Sequence, residues 1–157
     1  MSETPPTAIH RMVERCRADE YPALVAKLES GWVIMGERQV LAGYCLLLPD
    51  PVVAHLNVLT GARRARFLED MALTGDAVQH CTGAVRVNYA VFGNVEPALH
   101  AHIFPRRADE PAATRTSQPW ALDWNAAPPY SDDAHGELKR RIGEYLAKSA
   151  THESKRS

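Results

Sequence analysis

The chain has 157 residues, which suits one domain with one moderate hydrophobic core, and its 45% hydrophobic and 24% charged residues are ordinary for a globular protein. Eighteen basic and 19 acidic residues nearly cancel, so the totals exclude a general attraction to polyanions such as DNA. Three cysteines without a CxxC pair argue against a disulfide framework, and no run approaches the roughly 18 apolar residues of a membrane span; we therefore expect a cytoplasmic protein.

The first half of the sequence predicts a helical extension, a hairpin and a long helix. Apolar residues at mixed helical spacing between about residues 7 and 28, interrupted by Pro22, indicate two short helices or one broken helix. Apolar runs at residues 31–36 and 43–48 predict two strands joined by a turn. Residues 60–81 follow a helical period, with Thr60 as the N-cap. The buried stripe of this helix is expected to hold Ala62, Ala65, Leu68, Met71, Leu73, Ala77 and Val78. Its charged residues are expected to face out: Arg63, Arg64, Glu69 and Asp70.

The second half predicts two strands, an irregular arm and a closing helix. Residues 84–92 indicate a strand in the middle of a sheet, residues 93–97 a loop, and residues 99–104 the next strand. Residues 107–129 are rich in proline and alanine; their Trp120 and Trp124 either stack on a base or anchor the arm. Residues 131–149 predict a helix capped by Ser131 or Asp132, followed by a fraying tail. Helices around hairpins, without regular βαβ alternation, predict an α+β fold with a mainly antiparallel sheet.

Two histidines, His100 and His102, interrupt the otherwise apolar residues 98–104. Side chains alternate between the faces of a strand, so both histidines share one face with Ala98, while the residues between them face the core. Such a pair is consistent with solvated or hydrogen-bonded packing residues. It is also consistent with two zinc ligands, although no cysteine lies at a useful spacing, and we expect no metal. The third interpretation is covalent catalysis by one imidazole.

Covalent catalysis at phosphorus requires a nucleophile and donors for the phosphate oxygens. A neutral imidazole is a competent nucleophile near neutral pH because its reference pKa is about 6.5. Immediately upstream, the loop that contains Gly93 can direct successive main-chain N–H groups at an anion. The loop and the histidine pair together favour a phosphate site.

Residues 88–106, NYAVFGNVEPALHAHIFPR, resemble the signature region of the histidine-triad (HIT) superfamily, with its N…GN-V-x-P-x-L-H-x-H and PR features. The predicted order of a hairpin, a long helix and two strands is also similar. The resemblance covers a core of about residues 31–107. It implies a single HIT-like domain over residues 1–157, with an N-terminal helical extension at about 7–28 and a C-terminal arm and helix at about 108–150.

The resemblance implies a catalytic role for both histidines. In enzymes of this superfamily the middle histidine of three attacks the α-phosphorus of a nucleotide and forms a nucleotidyl-histidine that water resolves; His100 takes that position and His102 the last one. Several other residues are implied to bind the substrate phosphate: Asn88, Gly93, Asn94, Val95, His55 and Arg106. The resemblance further implies a nucleotide ligand and a homodimer, with no cofactor, no nucleic acid and no membrane partner.

Three positions depart from the family pattern. Ala98 occupies the place of the first histidine, Tyr44 stands where many relatives carry a histidine, and Gly36 replaces a polar residue that often contacts ribose. An alanine cannot protonate a leaving group, and general acid catalysis is commonly worth about 100- to 10,000-fold in rate. Two functions therefore stay open. One is a nucleotide phosphate hydrolase or transferase acting on dinucleoside polyphosphates or nucleoside phosphoramidates; the alternative is a nucleotide-binding or regulatory HIT-like protein with little or no turnover.

Overall fold

A computed structural model describes residues 5–155, apart from the side chains at 153 and 154. Within this range, five strands form one antiparallel sheet in the order β1-β2-β3-β5-β4. The strands are β1 (Leu24–Lys27), β2 (Gly31–Met35), β3 (Cys45–Pro49), β4 (Arg86–Ala90) and β5 (Ala101–Arg106), and the α-helices are α1 (Ala8–Arg17), α2 (Gly61–Thr82) and α3 (Asp132–Ser154). The α+β fold with a long helix between the hairpin and the signature strands is thereby confirmed.

The N-terminal extension is half helix and half strand. Thr7 caps α1 because its hydroxyl accepts from the main-chain N–H of His10, whose Nδ1 accepts in turn from the Thr7 N–H. The prediction of helix up to residue 28 is wrong after Pro22, since Leu24–Lys27 pairs with β2 in a hairpin. Four residues are too few for periodicity to separate a strand from a helix, and the neighbouring strand decides.

The buried face of α2 differs from the predicted stripe. Thr60 precedes the helix without making a side-chain capping bond, and Gly83 ends it in the left-handed region at φ 70°. Ala77 and Val78 are buried as predicted, whereas Leu68 is 39% exposed. The residues that α2 buries are Phe67, Asp70, Thr74, Gly75, Ala77, Val78 and Cys81. In the N-terminal half of this helix the large apolar residues Phe67 and Leu68 are adjacent and point to different sides, and periodicity alone selected the wrong one.

Asp70, predicted to face solvent, is buried at 2% exposure. Its carboxylate accepts from the main-chain N–H of Ser30 at 2.8 Å and from the Ser30 hydroxyl at 2.6 Å. These bonds compensate the loss of hydration and tie α2 to the β1–β2 turn.

The hydrophobic core lies between the helices and one face of the sheet. Helix α2 packs on β3 and β5, and α3 packs on α2 and β1. Val33, Leu47, Phe67, Ile103 and Ile142 are completely buried in this layer. Within residues 5–155, no helix has both the length and the apolar character that a bilayer span requires.

Strand β4 lies at an edge of the sheet and not in its middle, which corrects the sequence prediction. It pairs with β5 alone among the described strands, with Asn88 opposite Phe104 and Ala90 opposite His102. An apolar run does not reveal strand order, because packing on one face suffices to explain it. The edge position leaves one side of β4 open.

The C-terminal part follows the prediction with a longer helix. Residues 107–129 are irregular except for a short 3₁₀ turn at Pro119–Ala121, and we call residues 107–129 the arm. Ser131 caps α3, since its hydroxyl accepts from the Ala134 N–H at 3.2 Å. The helix continues to Ser154, beyond the predicted end at 149. Of the predicted fraying tail, residues 156 and 157 lie outside the described residues.

Candidate active site

His100 lies just before β5 and is 7% exposed. Its Nδ1 is 2.7 Å from the main-chain oxygen of Ala98. A carbonyl oxygen only accepts, so Nδ1 carries the hydrogen and, in the neutral ring, Nε2 retains its lone pair. This tautomer is the one that a nucleophilic Nε2 requires.

Three hydrogen bonds hold the segment before His100 in place. The carboxylate of Glu96 accepts from the N–H of Ala98 at 3.2 Å and from the N–H of Ala8, at the start of α1, at 3.1 Å. The Leu99 N–H donates to the carbonyl of Val53 at 2.8 Å. A carboxylate at a helix N-terminus is electrostatically favourable. Helix α1 therefore helps to fix the carbonyl that orients His100.

His102 lies on β5, half-buried, with its Nδ1 2.6 Å from the hydroxyl of Tyr44. Burial, and next the neighbouring His100, lower the pKa of His102 to about 4. Burial raises the pKa of the Tyr44 phenol above its usual range. At neutral pH both groups are uncharged, and we expect the phenol, which is a stronger hydrogen-bond donor than an imidazole N–H, to donate to Nδ1. His102 then carries its hydrogen on Nε2.

Two of the departures from the family pattern, Gly36 and Tyr44, depend on each other. A Cβ atom added to Gly36 would lie 2.2 Å from ring atoms of Tyr44, far inside van der Waals contact. The tyrosine ring therefore occupies the space that a side chain at position 36 would need. The sequence presents Gly36 and Tyr44 as separate changes, and only the fold shows that the first makes room for the second.

An aromatic cluster surrounds His102. Tyr44 and Phe104 stack at a ring-centroid distance of 4.3 Å, and Trp120 of the arm meets His102 edge-on at 5.0 Å. Trp120 also contacts Phe92 at 4.9 Å and remains 45% exposed. The arm thus folds back onto the histidine pair, which explains the low polarity around His102.

A buried arginine holds the arm in this position. Arg106 is 8% exposed, and its guanidinium binds the carboxylate of Glu110 at 2.8 Å. It also donates to the Ser117 carbonyl at 2.6 Å and to Oδ1 of Asn88 at 3.1 Å. Further donation reaches the carbonyls of Thr114 and Arg115. The bonds to Glu110, Thr114, Arg115 and Ser117 hold residues 110–117 beside β5. The 3₁₀ turn that carries Trp120 over His102 begins two residues later, at Pro119.

The predicted phosphate-binding residues fall into three places. His55 and Gly93 line a hollow of about 240 Å³ that reaches Ala98. Asn94 and Val95 are exposed beside it, and the Val95 side chain is 98% exposed, so only its main chain is suited to an anion. Asn88 and Arg106, on the far side of Trp120, bind each other. Each of these roles stays a prediction.

The sequence did not predict that Tyr44 and Trp120 contact His102. Tyr44 contacts His102 directly, and Trp120 covers it. A signal for Tyr44 existed in its position opposite a glycine across the hairpin. For Trp120 the sequence left two roles open, stacking on a base or anchoring the arm, because irregular chain leaves no periodicity to follow.

Comparison with known proteins gives matches at the level of structure. No family model matches the chain, and no curated protein does. A histidine-triad protein from Sinorhizobium meliloti superposes with a TM-score of 0.68 at 22% identity, covering 84% of this chain and 93% of its own. A HIT-like protein from Bartonella henselae, described as involved in cell-cycle regulation, gives 0.70 at 14% identity over 92% and 99%. The chain has the histidine-triad fold.

A third histidine-triad fold, a hypothetical nucleotide-binding protein from Sulfolobus tokodaii, superposes with a TM-score of 0.69 at 15% identity over 88% of this chain and 92% of its own. In this chain the strand hairpin, the long helix and the signature strands follow one another in the predicted order. Among residues 5–155, no three histidine, cysteine, aspartate or glutamate side chains are grouped to hold a metal ion.

Proposed function

We propose that this chain transfers a nucleotidyl group from a nucleotide phosphoanhydride through Nε2 of His100 and releases it to water. The observation that carries the proposal is the bond from His100 Nδ1 to the Ala98 carbonyl, which leaves Nε2 free to attack. The signature at residues 88–106 supports it, as does the likeness to HIT folds, one of which is described as nucleotide-binding.

The reaction proceeds in two balanced steps. Nε2 of His100 forms a bond to the α-phosphorus while the bond from phosphorus to the leaving oxygen breaks, and the electron pair departs with that oxygen. The ring is then a phosphorylated imidazolium, whose positive charge the Ala98 carbonyl stabilises through Nδ1–H. Water next attacks phosphorus, the phosphorus–nitrogen bond breaks with its electrons returning to Nε2, and a water proton goes to solvent.

The surroundings favour an anhydride over a phosphoramidate. Ala98 offers no side-chain proton, and His102, with its pKa lowered to about 4, is neutral at pH 7. An amine leaving group needs a proton in the transition state, whereas a phosphate leaves as a stable anion. We propose that the substrate is a dinucleoside polyphosphate or a related nucleotide anhydride.

We assign the phosphate to the hollow beside Ala98. His55 and Gly93 line it, and the exposed loop with Asn94 and Val95 supplies main-chain N–H donors at its rim. Asn88 and Arg106 then contribute by holding each other and the arm, since Arg106 already binds Glu110 and three carbonyls. We also propose that the single domain works as a homodimer in the cytoplasm.

The test is intact mass spectrometry during turnover of a dinucleoside tetraphosphate. We expect a nucleotidyl adduct in the wild-type protein, none in His100→Ala, and an unchanged adduct in His152→Ala, a control on the exposed side of α3. An adduct that persists in His100→Ala would contradict the proposal.

A second function, nucleotide binding with little turnover, is favoured by the departures from the family pattern at Ala98, Tyr44 and Gly36. It predicts that the dinucleotide binds without forming adduct or product. Ala98→His separates the two: a gain in turnover identifies the missing proton donor as the limiting element, and binding without any gain supports the regulatory alternative.

A further inference from the structure

We propose that a groove between β4 and the arm binds the leaving portion of the substrate as an extended chain of phosphates. The groove has a volume of about 850 Å³; Arg86 and Arg115 lie at one end and Trp120 and Phe92 at the other. We call it the arginine groove. The proposal rests on the function proposed for His100 and deepens it by naming where the leaving group lies.

The groove carries uncompensated positive charge. Four arginines line it, Arg86, Arg106, Arg107 and Arg115, and no aspartate or glutamate does. Arg106 and Arg107 are neutralised by Glu110 and Asp109. The Arg115 guanidinium donates only to a main-chain carbonyl, and the Arg86 side chain makes no hydrogen bond or ion pair within residues 5–155. Two cations therefore face the groove without a carboxylate.

The strand register places these cations at a distance from the histidines that a chain of several phosphates can span. Ala90 lies opposite His102 and Arg86 opposite Arg106, so both ends of the groove are fixed on the same pair of strands. Four residues of strand separate the two levels, which is about 13 Å. Trp120 lines the groove and also contacts His102, so one side chain separates the near end of the groove from the histidine pair.

This length and charge select one kind of occupant. A single phosphate held at His100 cannot also reach Arg86, whereas a chain of several phosphates spans the interval and places its far end between two arginines. Ser117 and Gln118 line the middle of the groove and offer neutral polar atoms to the chain. At the near end the groove is lined by the Trp120 ring, and no carboxylate that would repel phosphate lines it.

The experiment compares two substrates that share the attacked nucleotide. One is a dinucleoside tetraphosphate and the other is the 4-nitrophenyl ester of the same nucleoside monophosphate, whose leaving group carries no phosphate. The test variant is Arg86→Gln/Arg115→Gln. The matched control is Arg141→Gln, an exposed arginine on α3, which packs on the opposite face of the sheet.

We expect the double variant to lose about tenfold or more in kcat/KM for the tetraphosphate, because two charge-assisted contacts disappear, and to retain its kcat/KM for the nitrophenyl ester. Arg141→Gln should change neither. Equal losses for both substrates, or no loss for either, would overturn the assignment of the groove to the leaving group.

A binding measurement separates this proposal from the proposed function. Inorganic tripolyphosphate should bind the wild-type protein, more weakly as salt rises, and bind the double variant about tenfold more weakly. Equal binding to both proteins overturns the groove whether or not His100 forms an adduct. If tripolyphosphate binds the double variant more weakly but the wild-type protein forms no nucleotidyl adduct, the function at His100 is refuted, and the leaving-group role with it. Preferential binding of single-stranded RNA over tripolyphosphate also overturns the proposal.

Discussion

At the scale of single residues, the properties of both histidines depend on one partner each. The Ala98 carbonyl selects the tautomer of His100, and the Tyr44 hydroxyl selects that of His102. Neither partner is a charged group, so no carboxylate is paired with either imidazole. Under the proposed function, the alanine at position 98 limits which leaving groups are accepted and leaves the nucleophile in place.

We predict that His102 stays neutral down to a pH near 4. Burial and His100 lower its pKa in the folded protein, whereas the unfolded chain takes the proton near pH 6.5. Its contribution to stability is therefore complete above about pH 6.5 and is lost as the pH falls towards 4. Nitrogen NMR titration of the imidazoles measures the pKa, and urea unfolding at pH 7 and pH 5 measures the loss.

The control for that titration is Tyr44→Phe, which keeps the ring and removes the hydroxyl. We expect the ¹⁵N shifts of His102 to move from a single Nε2–H tautomer towards a mixture. An ordinary pKa near 6.5 in the wild-type protein would refute the assigned burial effect.

A second residue-scale prediction concerns Gly36. Gly36→Ala places a methyl group against the Tyr44 ring and should destabilise the protein by about 1–3 kcal/mol, as overpacking does. The free energy of unfolding in urea measures this effect. In Gly36→Ala/Tyr44→Ala the collision is absent, so the double variant should be more stable than the sum of the single effects predicts. Additive effects would show that the two positions are independent.

At the scale of elements, the arm is the part of the fold that secondary-structure propensity explains least. It has one short 3₁₀ turn, and its position comes from a buried guanidinium that collects a carboxylate and main-chain carbonyls. Burial of such a charge is tolerated only because every bond is made. Trp120 reaches His102 as a consequence.

We predict that Arg106→Ala destabilises the protein by about 3–5 kcal/mol, because it leaves the Glu110 carboxylate buried without its partner. The arm should loosen, with a red shift of tryptophan emission and faster hydrogen exchange over residues 110–121. Arg107→Ala, which breaks an exposed ion pair with Asp109, is the matched control and should destabilise the protein far less than Arg106→Ala. Similar costs for both variants would contradict the anchoring role.

At the scale of the whole molecule, the two sides of β4 differ. Tyr89 lies opposite Ile103, and so faces the helices, whereas Asn88 and Ala90 share the side of the histidines. Val85 and Val91, at the two ends of the strand, are 65% and 38% exposed, and Tyr89 is 42% exposed. These apolar side chains on the helix side are where we place the proposed homodimer contact; Val85 and Tyr89 also line the arginine groove.

We predict that Val85→Lys/Val91→Lys converts the proposed dimer into a monomer, because a lysine at each position introduces a charge into an apolar contact. Light scattering after size-exclusion chromatography measures the mass. Ala147→Lys on α3, which packs at the opposite edge of the sheet beside β1, is the control and should leave the mass unchanged. A wild-type protein of monomeric mass at all concentrations would refute the dimer.

The sequence by itself determined the strands of the hairpin, the long α2, the alternation that buries Leu99, Ala101 and Ile103, and the pair His100 and His102. These features follow from local periodicity and from the order of residues in one strand, which no distant contact needs to supply. The signature at residues 88–106 was sufficient to predict the histidine-triad fold.

Only the tertiary structure decided the remaining features. Leu24–Lys27 is a strand because β2 offers it an edge, Asp70 is buried because Ser30 meets it, and β4 is at the edge because the sheet order leaves it there. The contact of Tyr44 with His102 likewise joins residues that are far apart in the chain, and the fit of the Tyr44 ring over Gly36 depends on the hairpin that brings them opposite each other. Periodicity reports which face of an element is apolar, but partners across the fold determine which polar groups can be buried and what they then do.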